Sequence, residues 1–177
     1  MPAACPEPRR VLVAGIGNVL RRDDGFGPAV IQALEAAGPL PPGVRTLEMG
    51  IGCVALIHEL MAGYDLLIVV DAVDRGGAPG CLYVLDPDVP DPATIPGMER
   101  WTWANETCQT SPARALVMAR AAGVLPPVVR LIGCQPAEME ELSTELSPIV
   151  QQTVAEAMRE ILALVENAEE RGGRSAG

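Results

Sequence analysis

Five short apolar runs, separated by segments of helical spacing, organise the chain. Strands are predicted at Val11–Gly15, Val44–Glu48, Leu66–Asp71, Cys81–Leu85 and Val128–Gly133. Helices are predicted at Gly27–Ala37, Cys53–Ala62, Ser111–Ala122 and Pro148–Glu166. The last helix has the clearest start, with Ser147 in the N-cap position and Pro148 opening the first turn. Leu66 to Val70 is apolar without alternation, the mark of a strand buried on both faces in a helix-covered parallel sheet. The link 72–80 is too short and too rich in glycine for a crossover helix, so Cys81–Leu85 is expected to return antiparallel as an edge strand. The Pro- and Asp-rich stretch 86–98 reads as an exposed excursion. These elements predict an α/β fold: a three-layer sandwich with a mostly parallel, mixed five-stranded sheet and helices on both faces. Residues 10–167 are expected to form a single α/β domain, with a flexible leader at 1–9 and a flexible tail at 168–177.

Composition narrows the partners. At 177 residues the chain can close one aliphatic core, since apolar residues make up 49% and aromatics only 3%. A formal charge of −10 argues against a nucleic-acid partner, which needs clustered cations. No apolar run approaches the roughly 18 residues of a membrane span. The five cysteines (Cys5, Cys53, Cys81, Cys108 and Cys134) contain no Cys-x-x-Cys pair, which favours a reducing cytoplasm over a disulfide framework.

Candidate chemistry gathers where strands end, because ligand sites in open α/β sheets lie beyond the carboxyl ends of the strands. Asn18, Asp23 and Asp24 follow the first strand, Glu48 ends the second, Asp71 ends the third, and Gln135 follows the last. Converging carboxylates repel unless a cation, a proton or a basic ligand compensates. A divalent metal with hard oxygen ligands from Asp24 and Asp71 satisfies that demand. Each residue also has a structural reading. Asp23 could cap the following helix or brace its loop. Asp71 could accept backbone N–H groups of its own turn. Glu48 could be a solvated strand end, Gln135 a turn residue, and His58 part of a helix surface. Familiar signatures fail: the third glycine of G-x-G-x-x-G would fall at Leu20, and no lysine exists for a phosphate loop. His58 is the only histidine, so a nucleophilic mechanism lacks its usual base.

Three ordered segments carry a resemblance. They are Gly15-x-Gly17-Asn18-x-Leu20-x-x-Asp23-Asp24-Gly25-x-Gly27, then Leu67 to Ala72 with Pro79-Gly80, then Leu131 to Pro136 followed by Leu146-Ser147-Pro148. Together they resemble the [NiFe]-hydrogenase maturation endopeptidases over about residues 10–165. The resemblance implies a cytoplasmic, monomeric protease that removes a C-terminal extension from a hydrogenase large-subunit precursor. It further implies nickel presented by that substrate, with Asp24 and Asp71 as metal-contacting and catalytic carboxylates. The loop Met49-Gly50-Ile51-Gly52 would border the cleft. Where the family carries a histidine as third metal contact, gap-free spacing puts Cys108, whose thiolate is a softer ligand. The alternatives are a non-catalytic chaperone that binds the nickel-loaded precursor, and a nucleotide-binding domain, which the acidic loop disfavours.

Overall fold

A computed structural model describes residues 8–50, 54–96 and 112–173. Its strands are β1 (Val11–Ile16), β2 (Val44–Met49), β3 (Leu66–Ala72), β4 (Leu82–Leu85) and β5 (Val128–Cys134). Its α-helices among the described residues are α1 (Phe26–Ala36), α2 (Val54–Leu60), α3 (Pro112–Ala121) and α4 (Pro148–Gly173). The sheet order is β2-β1-β3-β5-β4. All neighbours are parallel except β4, which pairs antiparallel with β5 at the edge. The predicted mixed sheet and its returning edge strand are therefore both present.

Alternation along β1 and β3 explains the three layers. Val11 and Val13, with Leu66, Ile68 and Val70, point into one core beneath α1 and α4. Leu12, Ala14 and Ile16, with Leu67 and Val69, point into a second core with Leu56, Leu60, Leu116 and Ala119 of α2 and α3. Successive side chains of a strand face opposite ways, so apolar residues at every position imply helices on both sides.

Two expectations need correction. The excursion after β4 is anchored: Val89 and Ile95 are buried in the second core, flanking a short 3-10 turn at Pro92–Thr94. The last helix runs past its expected end at Glu166, because α4 continues to Gly173. Val154, Ala157, Ile161, Val165 and Ala168 keep the helical spacing and all enter the first core. The polar composition after Glu166 hides that the apolar stripe reaches Ala168.

Candidate active site

The strand order places a reversal between β1 and β3, since β1 leads to β2 on one side while β3 lies on the other. In open α/β sheets the ligand crevice lies at such a switch point, beyond the carboxyl ends of the two strands. Asp24 follows β1 and Asp71 lies at the end of β3, so both stand at this position.

The turn that carries Asp24 is built from backbone contacts. Asn18 N–H donates to the Asp24 carbonyl at 3.1 Å, Arg21 N–H to Asn18 O at 3.0 Å, and Asp24 N–H to Arg21 O at 3.0 Å. The Asn18 Oδ1 accepts the Leu20 N–H at 3.0 Å, so its side chain folds the turn rather than reaching into the crevice. Gly17 has φ +141°, and a Cβ there would overlap the Asp24 carbonyl oxygen. A 3-10 turn at Arg22–Gly25 then leads into α1.

Asp71 is 6% exposed, and its Oδ1 accepts the adjacent Ala72 N–H at 2.8 Å. Burial raises its carboxyl well above the ordinary carboxylate range, and the nearby charge of Asp24 raises it further against the lowering effect of the Ala72 N–H. Asp24 is half-buried; burial raises its carboxyl too, opposed by the Arg21 charge and the Asn18 backbone. The charge of Asp24 thus bears on Asp71, and both carboxyls are raised above the ordinary carboxylate range.

The other candidates separate from this pair. Asp23 is fully buried and serves as a brace, not a helix cap. Its Oδ2 accepts the N–H groups of Ala137 (2.8 Å) and Glu138 (2.9 Å) and the Ser147 hydroxyl (2.9 Å), while its Oδ1 accepts the Ser147 N–H at 2.6 Å. Burial opposes ionisation of Asp23, but these donors outweigh it and hold the carboxyl below its ordinary value. Ser147 accordingly spends its hydroxyl on Asp23 while occupying the position before α4. Glu48 is exposed and accepts the Gln32 amide at 3.1 Å, a solvated strand end. Gln135 is a buried brace: its Oε1 takes the Arg75 and Gly77 N–H groups, and its amide donates to Asp74 at 2.8 Å. His58 is exposed on α2. Burial pushes the Cys134 thiol up to about 11, which removes it as a nucleophile near neutral pH. Cys108 and the Ile51–Gly52 part of the cleft loop lie outside the described residues.

Convergence of three or more carboxylates therefore does not occur among the described residues; no group of three His, Cys, Asp or Glu side chains there could hold a metal. Asp24 and Asp71 stand there as a pair of carboxylates whose charges interact. The bracing role of Ser147, whose N–H and hydroxyl meet Asp23 across 124 positions, had no signal along the chain beyond its place before Pro148.

The family described as hydrogenase maturation protease matches residues 28–164. The chain is 39% identical to the hydrogenase expression/formation protein HupD of Rhodobacter capsulatus, over 92% of this chain and 75% of that protein. It is 31% identical to the hydrogenase 2 maturation protease of Escherichia coli K12, over 90% of this chain and 92% of that one. The solved structure of the hydrogenase maturating endopeptidase HybD from E. coli superposes with a TM-score of 0.70 at 28% identity, covering 90% of this chain and 93% of that one. No helix among the described residues is long and apolar enough to cross a membrane. With the family model, the sequence relatives and the fold in agreement, the chain belongs to the hydrogenase maturation proteases, a family of peptide-bond hydrolases.

Proposed function

We propose that this protein is a nickel-dependent endopeptidase that removes the C-terminal extension of a [NiFe]-hydrogenase large-subunit precursor, acting in the cytoplasm as a monomer. The observation that carries this reading is the Asp24–Asp71 pair at the switch point of the sheet. Nickel in this scheme is part of the substrate: it comes seated among the precursor's own ligands, and the two carboxylates complete its surroundings. An approaching cation favours the ionised form of both groups, so docking would expel the proton that burial and Asp24 keep on Asp71.

Two routes to hydrolysis follow from the same geometry. The docked ion polarises the scissile carbonyl or the attacking water. Alternatively, Asp71, with its raised proton affinity, takes the proton of the attacking water as general base. Cys108 is proposed as the third metal contact, a thiolate in place of an imidazole.

The test mixes purified protein with nickel-loaded and nickel-free precursor and follows the mass of the large subunit. Cleavage confined to the loaded form, and lost in Asp24→Ala and Asp71→Ala, is expected. Equal cleavage of both forms would overturn the nickel requirement. Binding of loaded precursor without any mass change would favour the chaperone reading instead.

A further inference from the structure

We infer that Asp23 is a positioning residue: it fixes the separation between Asp24 and Asp71 by tying the Asp24 turn to the segment leaving β5. The inference rests on the reading of Asp24 and Asp71 as the reacting pair, and it concerns a carboxylate that touches neither substrate nor crevice.

The connection is a closed ring of constraints. Asp71 on β3 stands in register with Gly133 on β5. Two residues later, Gln135 leaves the sheet with its backbone paired to Gly80 and Cys81 (both 2.8 Å) and its side chain binding the loop that follows Asp71. Ala137 and Glu138 come next, and their N–H groups both end on Asp23 Oδ2. Asp23 in turn is covalently joined to Asp24. The ring therefore runs from one reacting carboxylate to the other through Asp23, and its remaining contacts repeat the tie. Asp23 N–H donates to Glu138 O at 3.1 Å, Arg22 N–H to Ser143 O at 2.9 Å, and Ser143 N–H to Leu20 O at 3.1 Å. Arg22 adds an ion pair to Glu141, and Arg21 Nε donates to Met139 O at 3.1 Å.

Two further observations indicate that the turn needs this tie. Arg22 sits at φ +46°, in the left-handed region that non-glycine residues rarely occupy, so the turn would relax if released. Asp24 itself is half-buried, and its carbonyl is pressed against Gly17, so a shift of the turn moves Asp24 directly. The segment 137–147 acts as a strap across the outside of the turn, closed at both ends by one carboxylate, at Ala137–Glu138 and at Ser147.

Asp23→Asn isolates the function. The amide keeps the shape but turns one acceptor into a donor. Its least costly orientation puts the NH2 group against the Ser147 N–H, which unfastens one end of the strap. The comparison set is Asp23→Asn, Ser147→Ala, and Val154→Ala as a control that opens a cavity in α4 far along the chain from the turn. Thermal midpoints are measured for all, and precursor cleavage is assayed well below the lowest of them. Asp23→Asn is expected to lose about tenfold or more in kcat with a smaller rise in KM, because misplacing a reacting group costs the chemical step more than the docking contact that the same carboxylates make. Ser147→Ala should lose less, and Val154→Ala should keep its kcat despite a lower midpoint. Undiminished kcat in Asp23→Asn would overturn the inference, as would an equal loss in Val154→Ala. Should Asp23→Asn fail to fold, Ser147→Ala decides, with full kcat overturning and reduced kcat supporting. Wild-type cleavage by Asp24→Ala and Asp71→Ala would overturn the reading of the pair itself, whereas loss there with retention in Asp23→Asn overturns the positioning role alone.

Discussion

Gly27, in the first turn of α1, crosses β3 so closely that a Cβ would overlap the Val70 carbonyl oxygen, one residue before Asp71. The same Cβ would also overlap the backbone of Ile16 at the end of β1. Gly15 faces it from β1, where a Cβ would stand 2.5 Å from the Gly27 carbonyl oxygen. The start of α1 is thus set against the ends of both strands that flank the crevice. Gly27→Ala should destabilise the fold by about 1–3 kcal/mol, the usual range for forced overpacking, because only backbone could yield. A urea midpoint equal to wild type would contradict this.

Asp71 makes stability depend on pH. Its folded carboxyl is raised above the ordinary value by burial and by Asp24. It therefore contributes stability that is full below the ordinary carboxylate pKa and is lost as pH rises through the raised folded value. Asp71→Asn lacks this loss, so its thermal midpoint should overtake that of wild type between acid and neutral pH while processing is abolished. Parallel midpoint curves for the two proteins would refute the assignment.

Capture of nickel-loaded precursor should strengthen with pH for the same reason. A metal and a proton compete for one carboxylate, and the raised affinity of Asp71 for a proton gives the proton an advantage in mild acid. Pull-down of loaded precursor by a slowly cleaving variant at Asp23, compared across mildly acidic to neutral pH, reads the trend. Binding that weakens as pH rises would contradict the proposed docking.

Asp23 should behave oppositely. Its folded carboxyl lies below the ordinary value, so its contribution is present above that value and lost as pH falls through the lowered one. Asp23→Ala leaves three N–H donors and a hydroxyl without their buried partner. A loss of roughly 2–4 kcal/mol at neutral pH is expected, from about 1–3 kcal/mol for each buried group left unsatisfied and partial rescue by water. The difference from wild type should narrow in acid, and chemical denaturation at two pH values checks both points.

Cys108 supplies the last prediction. If a soft donor completes the proposed metal contacts, Cys108→Ser should slow processing of loaded precursor and Cys108→His should restore it. Full activity in Cys108→Ser would remove the residue from the site.

The sheet was legible in the chain because continuous apolar runs and short links leave few ways to bury the strands. Leu66 to Val70 allow no solvent-facing side, and the nine residues of 72–80 allow no crossover helix. The positions of Asp24 and Asp71 at the carboxyl ends of β1 and β3 were legible for a related reason, as Asp24 follows one predicted strand and Asp71 ends another. Val89 and Ile95 were not, since isolated apolar residues in a Pro- and Asp-rich stretch show no period, and only the second core reveals what they cover.

The sequence by itself determined the layers, the strand directions and the rim that carries Asp24 and Asp71, because those follow from local periodicity and from the reach of short connections. Only the tertiary structure decided that Asp23 and Asp24, neighbours of the same chemistry, diverge into a fully buried anchor and a half-buried carboxylate. The physical reason is that the donors separating their roles, at Ala137, Glu138 and Ser147, lie more than a hundred residues away and meet Asp23 only once the strap has closed.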